Sequence, residues 1–280
     1  MRQSGRVWLV HWKRILIGKW SWKRPFISLL WIYVMLGVVA VFFGDRLLFV
    51  PPVPSYARES KELVRLTTSA GEQIDAFHFS AAPGMPTLLY SHGNAEDIGQ
   101  GIDLYQEWRS MGFGVLAYEF PGYGHSTGTA TESSCQRAIH TAWQHLIRSG
   151  VNAGSVVIVG RSVGGGPSTW LASTVKSAGL VLIAPFTSVY SVAFRAPIFP
   201  RDRFSNLKRI RGMDTPLLVI HGENDEVIPV SHGRKLVEAS LAKDKHFSMV
   251  AGARHNDLFE IAGEDIIRQV ADFARRVKRQ

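Results

Sequence analysis

The sequence predicts an α/β protein in which a mostly parallel central sheet carries helices on both faces and follows one N-terminal transmembrane helix. After residue 86, six short apolar runs alternate with segments of helical length, which is typical of parallel strands joined by helices. Residues 26–43 contain no charged side chain. A chain of 280 residues is long enough for one large domain with an appendage.

The first 25 residues form a basic N-terminal segment. Lys and Arg residues contribute +7 to the formal charge before the first acidic residue, Asp45, which leaves +2 of the total of +9 for the remainder. The body of the protein is therefore nearly neutral. Nucleic-acid binding, which needs a basic surface, loses its main support, and we expect no nucleic-acid partner.

Residues 26–43, FISLLWIYVMLGVVAVFF, would span about 27 Å as a helix, enough for a bilayer core. We interpret them as a retained membrane anchor that contacts lipid. A cleaved signal peptide and a buried core helix are the alternatives. The Lys and Arg excess on the N-terminal side predicts a cytoplasmic N-terminus, with the large domain outside, periplasmic or extracellular in a bacterium.

Residues 44–56 are predicted to be a stiff linker because three prolines, Pro51, Pro52 and Pro54, lie in it. The large domain is then expected over 57–280, starting with an antiparallel hairpin. The six apolar runs expected to be its parallel strands lie at 87–91, 113–118, 156–159, 180–184, 217–220 and 246–250. Cys135 is the one cysteine, which excludes an intramolecular disulfide and a cysteine-built metal site.

The third apolar run ends in a tight turn with the sequence GRSVG, residues 160–164. Glycines 160 and 164 lack a Cβ where a strand and a helix come close, so Ser162 can stand out from the turn. The turn also places Ser162 at a helix N-terminus, where free N–H groups favour negative charge. We therefore interpret Ser162 as a nucleophile. A purely structural turn is the alternative.

Asp225 follows the fifth run and His255 follows the sixth. Because the carboxyl ends of parallel strands lie at one edge of a sheet, we expect Ser162, Asp225 and His255 to meet there. In such a set the histidine accepts the serine proton while the aspartate orients the imidazole. Glu223 and Glu226 flank Asp225 and are alternative acids.

An acyl transfer also needs two donors for the oxyanion. Val163, the residue after the serine, is one candidate, and Asn94 in the loop after the first run is the other, with Ala95 as its alternative. His92 and His221 each precede a glycine at a strand end. We expect their rings to shape these loops through bonds to the backbone.

These motifs resemble the α/β-hydrolase superfamily, in particular the membrane-anchored BEM46-like branch that includes the ABHD13-like and ABHD17-like proteins. The resemblance covers residues 45–275 and rests on six motifs in the same order: SHGNAEDIG, YEFPGYGHSTG, GRSVGG, PFTSV, HGENDEVIP and GARHND. It implies an α/β-hydrolase fold and serine hydrolase activity; members of the ABHD17-like group act on acyl thioesters of lipidated proteins, and some bacterial relatives are peptidase-like. Arg161 and Arg254 depart from the usual pattern beside the nucleophile and the histidine.

Residues 185–213 connect two strands and are predicted to form a short lid. Phe186, Tyr190 and Phe194 in it are expected to contact the substrate. The lid is also basic, with Arg195, Arg201, Arg203, Lys208, Arg209 and Arg211. It either faces anionic lipid or forms a solvated cover, and charge runs usually face water.

The sequence therefore predicts a membrane-anchored, monomeric serine hydrolase that cleaves small-molecule or lipid esters or thioesters without a metal or organic cofactor. A serine peptidase or amidase with the same triad is the nearest alternative. An inactive binding module with this fold is a third, although such a module has no need to keep Ser162, Asp225 and His255 together.

Overall fold

The structure is a computed structural model that describes residues 22–194 and 202–278, with the side chains of residues 193 and 194 left out. The chain divides into two compact units between Gly44 and Asp45. The first described helix, α1 (Arg24–Leu48), contains the predicted span 26–43. By length and composition α1 is a candidate transmembrane span; a signal sequence near an N-terminus passes the same test.

The second unit contains an eight-stranded sheet within the described residues, with the order β1-β2-β4-β3-β5-β6-β7-β8. Strands β1 and β2 form the expected antiparallel hairpin and β2 is antiparallel to β4, whereas the remaining neighbours are parallel. This confirms the predicted fold class. The strands are β1 (Leu63–Thr67), β2 (Gln73–Phe79), β3 (Thr87–Ser91), β4 (Gly114–Tyr118), β5 (Val156–Arg161), β6 (Gly179–Ile183), β7 (Leu217–Gly222) and β8 (Lys245–Val250).

Helices cover both faces of this sheet. Along β3, Leu89 packs into one core layer with residues of α3, α4 and α7, whereas Leu88 and Tyr90 pack into the other layer with residues of α2 and α8. Alternate strand residues are therefore buried on opposite faces. The helices after α1 are α2 (Ile102–Ser110), α3 (Glu132–Arg148), α4 (Gly165–Ala172), α5 (Val189–Phe194), α6 (Asn206–Ile210), α7 (Ser231–Ala239) and α8 (Leu258–Lys278).

The strand order creates a crevice at one edge of the sheet. From β3 the chain first forms β4 on one side and then β5 on the other, so the loops after β3 and β5 diverge. Such a switch point is where ligands bind in open α/β sheets. Ser91 pairs in register with Gly160, and Gly222 with Val250, so all four loops begin at this edge.

The segment predicted to be a linker, residues 44–56, belongs to the second unit except for Gly44, because this unit begins at Asp45 instead of residue 57. Phe49 and Tyr56 are buried, 7% and 8% exposed, whereas Val53 between them is 86% exposed. Residues 44–48 still belong to α1, and residues 49–55 lie in neither a helix nor a strand. The spacing of the prolines carries no information about which intervening side chains pack into a core.

Candidate active site

Ser162 lies on a strained turn between β5 and α4. Its φ of 49° is in the left-handed region, which a non-glycine residue seldom adopts. The two glycines beside it have a steric reason: a Cβ on Gly160 would lie 2.6 Å from the Gly164 carbonyl oxygen, and one on Gly164 would overlap the carbonyl oxygens of Ser91 and His92. The turn therefore needs glycine on both sides of the serine.

The structure brings the three predicted side chains together. Ser162 Oγ lies 3.0 Å from His255 Nε2, and His255 Nδ1 lies 2.7 Å from Asp225 Oδ2. Because the carboxylate only accepts, Nδ1 carries the proton, and Nε2 of the neutral ring is left to accept from the serine hydroxyl. His255 comes from the loop between β8 and α8, and Asp225 from the loop after β7.

Asp225 is held in place from three sides. Its Oδ1 accepts hydrogen bonds from the N–H groups of Val227 at 3.0 Å and Ile228 at 2.7 Å, and its Oδ2 lies 3.3 Å from His221 Nε2. Burial opposes ionisation of this carboxyl, but the bonds from His221, His255 and Ile228 outweigh it and hold the pKa of Asp225 well below its usual range. Of the alternative acids, Glu223 accepts instead from the Gly252 N–H, and Glu226 is exposed.

The loop after β3 faces the serine from the other side of the crevice. Ala95 has a φ of 54°, and the Gly93 N–H donates to Glu96 Oε2 at 2.9 Å. Within the described residues, the N–H groups of Asn94 and Ala95 donate to no protein acceptor. Both residues line the same cavity as Val163. The geometry thus leaves Asn94 and Ala95 open as the second oxyanion donor.

The two histidines expected to shape loops do so. His92 Nδ1 donates to the Gly93 carbonyl oxygen at 2.8 Å, and His221 Nε2 donates to the Ile228 carbonyl oxygen at 2.8 Å. Both imidazoles are buried.

The serine and the histidine open onto a cavity of about 400 Å³, a volume in the range of small-molecule sites. Phe186 lines it as predicted. Tyr190 does not: its ring is buried beside Arg203, whose Nη1 donates to the Tyr190 hydroxyl at 2.6 Å. The side chain of Phe194 lies outside the described residues. The larger apolar side chains that line it are those of Leu48, Val163, Phe186, Val189, Val192, Val227 and Ile228.

Leu48, Val192, Val227 and Ile228 are lining residues that sequence reasoning missed. They come from three separate segments and carry no motif. Val227 and Ile228 stand two and three positions after Asp225, and this apolar pair is the one signal that the sequence offered.

Several charges at the mouth are paired internally. Arg161 Nη1 lies 2.5 Å from Glu96 Oε1 and its guanidinium lies 5.1 Å from the centre of the Phe259 ring. In the lid, Arg203 pairs with Asp45 at 3.1 Å and Arg209 with Glu132 at 3.0 Å. Among the described residues, no group of three or more His, Cys, Asp or Glu side chains is arranged to hold a metal ion.

Comparison with known proteins agrees with this fold. The chain matches the serine aminopeptidase S33 family over residues 85–201 and 201–262. Human α/β-hydrolase domain-containing protein 17B is 33% identical over 256 residues, which cover 80% of this chain and 88% of that protein. The mouse protein 17C is 37% identical over 176 residues, covering 61% of this chain and 55% of that protein.

Solved structures share the fold at lower identity. An esterase of Pyrococcus furiosus has a TM-score of 0.67 and 16% identity, covering 82% of this chain and 98% of that one. A monoacylglycerol lipase of Paleococcus ferrophilus has a TM-score of 0.59 and 20% identity, covering 73% and 99%. The chain belongs to the α/β-hydrolase family and is similar within it to the domain-containing 17 proteins.

Proposed function

We propose that this protein is a serine hydrolase that cleaves carboxylic ester or thioester bonds through an acyl-enzyme on Ser162. One observation carries the proposal: Ser162 Oγ, His255 and Asp225 form a continuous chain of contacts of 3.0 Å and 2.7 Å, and this chain opens onto an apolar cavity. An acyl group fits such a cavity, and the serine at its wall is positioned to attack the acyl carbonyl.

In the first half of the reaction, Ser162 Oγ attacks the carbonyl carbon while its proton moves to His255 Nε2. The resulting oxyanion accepts hydrogen bonds from the Val163 N–H and from Asn94 or Ala95. Asp225, ionised because its pKa is low, stabilises the imidazolium. His255 then gives the proton to the departing alcohol or thiol, which leaves the acyl group on Ser162.

In the second half, a water molecule attacks the acyl-enzyme. His255 takes one proton from this water and returns it to Ser162 Oγ as the carboxylic acid departs. All the proton transfers use one imidazole, and no metal or organic cofactor takes part in the cycle.

The charges around the cavity favour an ester or thioester over an aminopeptidase substrate. An aminopeptidase has to bind a free α-ammonium group, for which a carboxylate is the natural partner. Among the described residues that line the cavity, the carboxylate is Glu96, and it is already paired with Arg161 and with the Gly93 N–H. A peptidase or amidase with the same triad is the alternative.

Labelling of the purified full-length protein with a fluorophosphonate probe tests the proposal. We expect covalent labelling of Ser162, loss of labelling in Ser162→Ala, and wild-type labelling in Ser173→Ala, a matched change at an exposed serine of the α4 C-terminus. Absence of labelling in the folded wild type, or equal labelling of Ser162→Ala, would reject the enzyme and favour a binding module. Hydrolysis rates on a panel of esters, thioesters and aminoacyl amides then decide the bond class.

We also propose that α1 anchors the protein in a membrane with the N-terminus in the cytoplasm and the hydrolase unit outside. The support is the apolar composition of α1 and the basic residues that precede it. A fusion after Gln280 to a reporter that is active only in the cytoplasm is expected to be inactive. An active fusion would show the opposite orientation. Release of the protein from membranes by high salt or carbonate would reject the anchor.

A further inference from the structure

The segment that follows the apolar span, residues 45–50 (the connecting segment), forms part of the wall of the catalytic cavity. Leu48 lines the cavity directly. Phe49 is buried and makes edge-to-face contacts with Phe120, Tyr123 and Phe204 at ring-centre distances of 6.2–6.3 Å. Aromatic contacts of this kind fix the position of a segment as well as bury area. The connecting segment is thus a fixed component of the hydrolase unit.

The connecting segment is joined to the loop after β3 through the side chain of Asn94. Asn94 Nδ2 donates to the Leu48 carbonyl oxygen at 2.5 Å. Asn94 Oδ1 accepts from the Val50 N–H at 3.0 Å and from the Tyr123 hydroxyl at 2.7 Å. An amide oxygen has two lone pairs, so Oδ1 is saturated by these two donors. The carboxamide oxygen is therefore committed to the protein.

Asn94 is also the residue whose backbone, with that of Ala95, faces the reacting carbonyl in the proposed function. The other end of this turn is held independently, because Glu96 binds both Arg161 and the Gly93 N–H. Between these two attachments Ala95 adopts a φ of 54°. A backbone in this sparsely populated region keeps its conformation only if its surroundings over-determine it. The Asn94 side chain supplies the attachment on one side.

We propose that the Asn94 side chain is a positioning group for the oxyanion hole: it uses the connecting segment and Tyr123 as a fixed frame that aims the backbone N–H of Asn94 or Ala95 at the reacting carbonyl. This inference rests on the proposed function. It differs from a purely structural role, in which Asn94 would only hold the connecting segment in place. It also differs from direct catalysis by the side-chain amide.

Two variants of the full-length protein separate these roles. Asn94→Ala removes all three side-chain bonds. Tyr123→Phe removes only the hydroxyl and keeps the ring that contacts Phe49 and Phe120. Asn152→Ala is the matched control, because Asn152 uses its side chain to accept from the Gly154 N–H in an exposed turn before β5.

The first measurement is hydrolysis of p-nitrophenyl butyrate in detergent. Since oxyanion donors act in the transition state, kcat is expected to fall and KM to stay within about 3-fold. Loss of a whole oxyanion donor lowers kcat by about 10²–10³-fold, so we expect about 30-fold for Asn94→Ala, which misdirects the donor, and about 5-fold for Tyr123→Phe. Asn152→Ala is expected to match the wild type.

The second measurement is hydrogen–deuterium exchange of the peptide that spans residues 92–98, which does not depend on activity. Faster exchange in both Asn94→Ala and Tyr123→Phe is expected. Unchanged exchange of this peptide, even with faster exchange of residues 45–50, would overturn the positioning role in favour of a purely structural one.

The remaining outcomes also support or overturn the positioning role of Asn94. A fall in kcat for Asn94→Ala with wild-type kcat for Tyr123→Phe would overturn the inference in favour of direct catalysis by the Asn94 amide. If Asn94→Ala does not fold, Tyr123→Phe alone carries the test. An inactive wild type would reject the proposed function, while the exchange measurement would still support or overturn the frame around Asn94.

Discussion

The loops after β3 and β7 start alike and end differently. His92-Gly93 directly follows β3, and His221-Gly222 forms the end of β7. Both imidazoles are buried, and each bonds a backbone carbonyl oxygen at 2.8 Å. Each imidazole also faces a buried carboxylate: His92 Nε2 lies 3.2 Å from Glu119 Oε2, and His221 Nε2 lies 3.3 Å from Asp225 Oδ2. In the first loop the carboxylate comes from the end of β4; in the second it comes from the loop itself.

The two imidazoles use their nitrogens differently as a result. His221 uses one nitrogen, Nε2, toward both Ile228 and Asp225, so a single N–H serves both acceptors. His92 directs Nδ1 to the Gly93 carbonyl oxygen at 2.8 Å, and its Nε2 faces Glu119 Oε2 at 3.2 Å. Burial opposes the charged ring, but the Glu119 carboxylate and the Gly93 carbonyl outweigh it and raise the pKa of His92. The first loop thus places its imidazole against a carboxylate that does not contact the triad, and the second leaves its carboxylate available to His255.

We expect the greatest difference between the two loops when the carboxylate of each loses its charge. Asp225→Asn removes the charge that orients His255, and we expect kcat on a soluble ester to fall by about 10³–10⁴-fold. Glu119→Gln is the matched change in the other loop, where Oε1 accepts from the Ile98 N–H at 3.0 Å. Because Glu119 does not contact the triad, its variant is expected to lose no more than about 10-fold. Similar losses in both would show that the loops share one catalytic role.

An intermediate effect concerns the pH dependence of stability, which is opposite in the two loops. The pKa of His92 is raised, so its contribution is complete below the unfolded value of about 6.5 and is lost as pH rises through the folded pKa. The pKa of Asp225 is lowered, so its contribution is present above about 3.9 and is lost as pH falls through the folded pKa. Thermal unfolding of wild type, His92→Gln and Asp225→Asn from pH 3 to pH 10 measures both.

We expect the Tm difference between wild type and His92→Gln to narrow on the alkaline side, and that between wild type and Asp225→Asn to narrow on the acid side. Each kcal/mol lost corresponds to about 2–4 °C for a unit of this size. Differences that stay constant across the range would contradict the directions of these two pKa shifts.

Substitution of His221 is expected to change kcat less than Asp225→Asn does. A glutamine amide reaches about as far as Nε2 and still donates to the Ile228 carbonyl oxygen, so His221→Gln is expected to keep kcat within about 3-fold. An asparagine amide stops short, and His221→Asn should lose about 10-fold because Asp225 is then held less firmly. Steady-state kinetics on the same ester provides the measurement. Equal rates for both variants would show that the bond to Ile228 does not position Asp225.

Much of this fold follows from local patterns. The apolar runs predict the strands because buried parallel strands are apolar on both faces, and the glycines around Ser162 predict the turn because only glycine fits the close backbone contacts. The chain order of Ser162, Asp225 and His255 then predicts their meeting, since strand ends share one edge. The structure has all three within hydrogen-bonding distance.

The cavity wall and the connecting segment were not predictable in the same way. Tyr190 was expected in the cavity because it is aromatic. Its hydroxyl instead accepts a hydrogen bond from the buried Arg203, which also pairs with Asp45. Residues 44–56 were expected to be a stiff linker because of their prolines. Their place in the core depends on contacts to residues more than 70 positions later, such as Tyr123, and no periodicity records such contacts.

The backbone at Ser162 sets stability and activity against each other at a single position. A non-glycine residue with a φ of 49° costs about 1–2 kcal/mol relative to a relaxed conformation. Selection for thermal robustness alone would therefore favour glycine here and remove the hydroxyl, whereas retention of serine keeps the strain. A library of this protein that is screened only for folding is expected to accumulate folded variants without activity. Directed evolution of the protein therefore has to measure substrate turnover in every round.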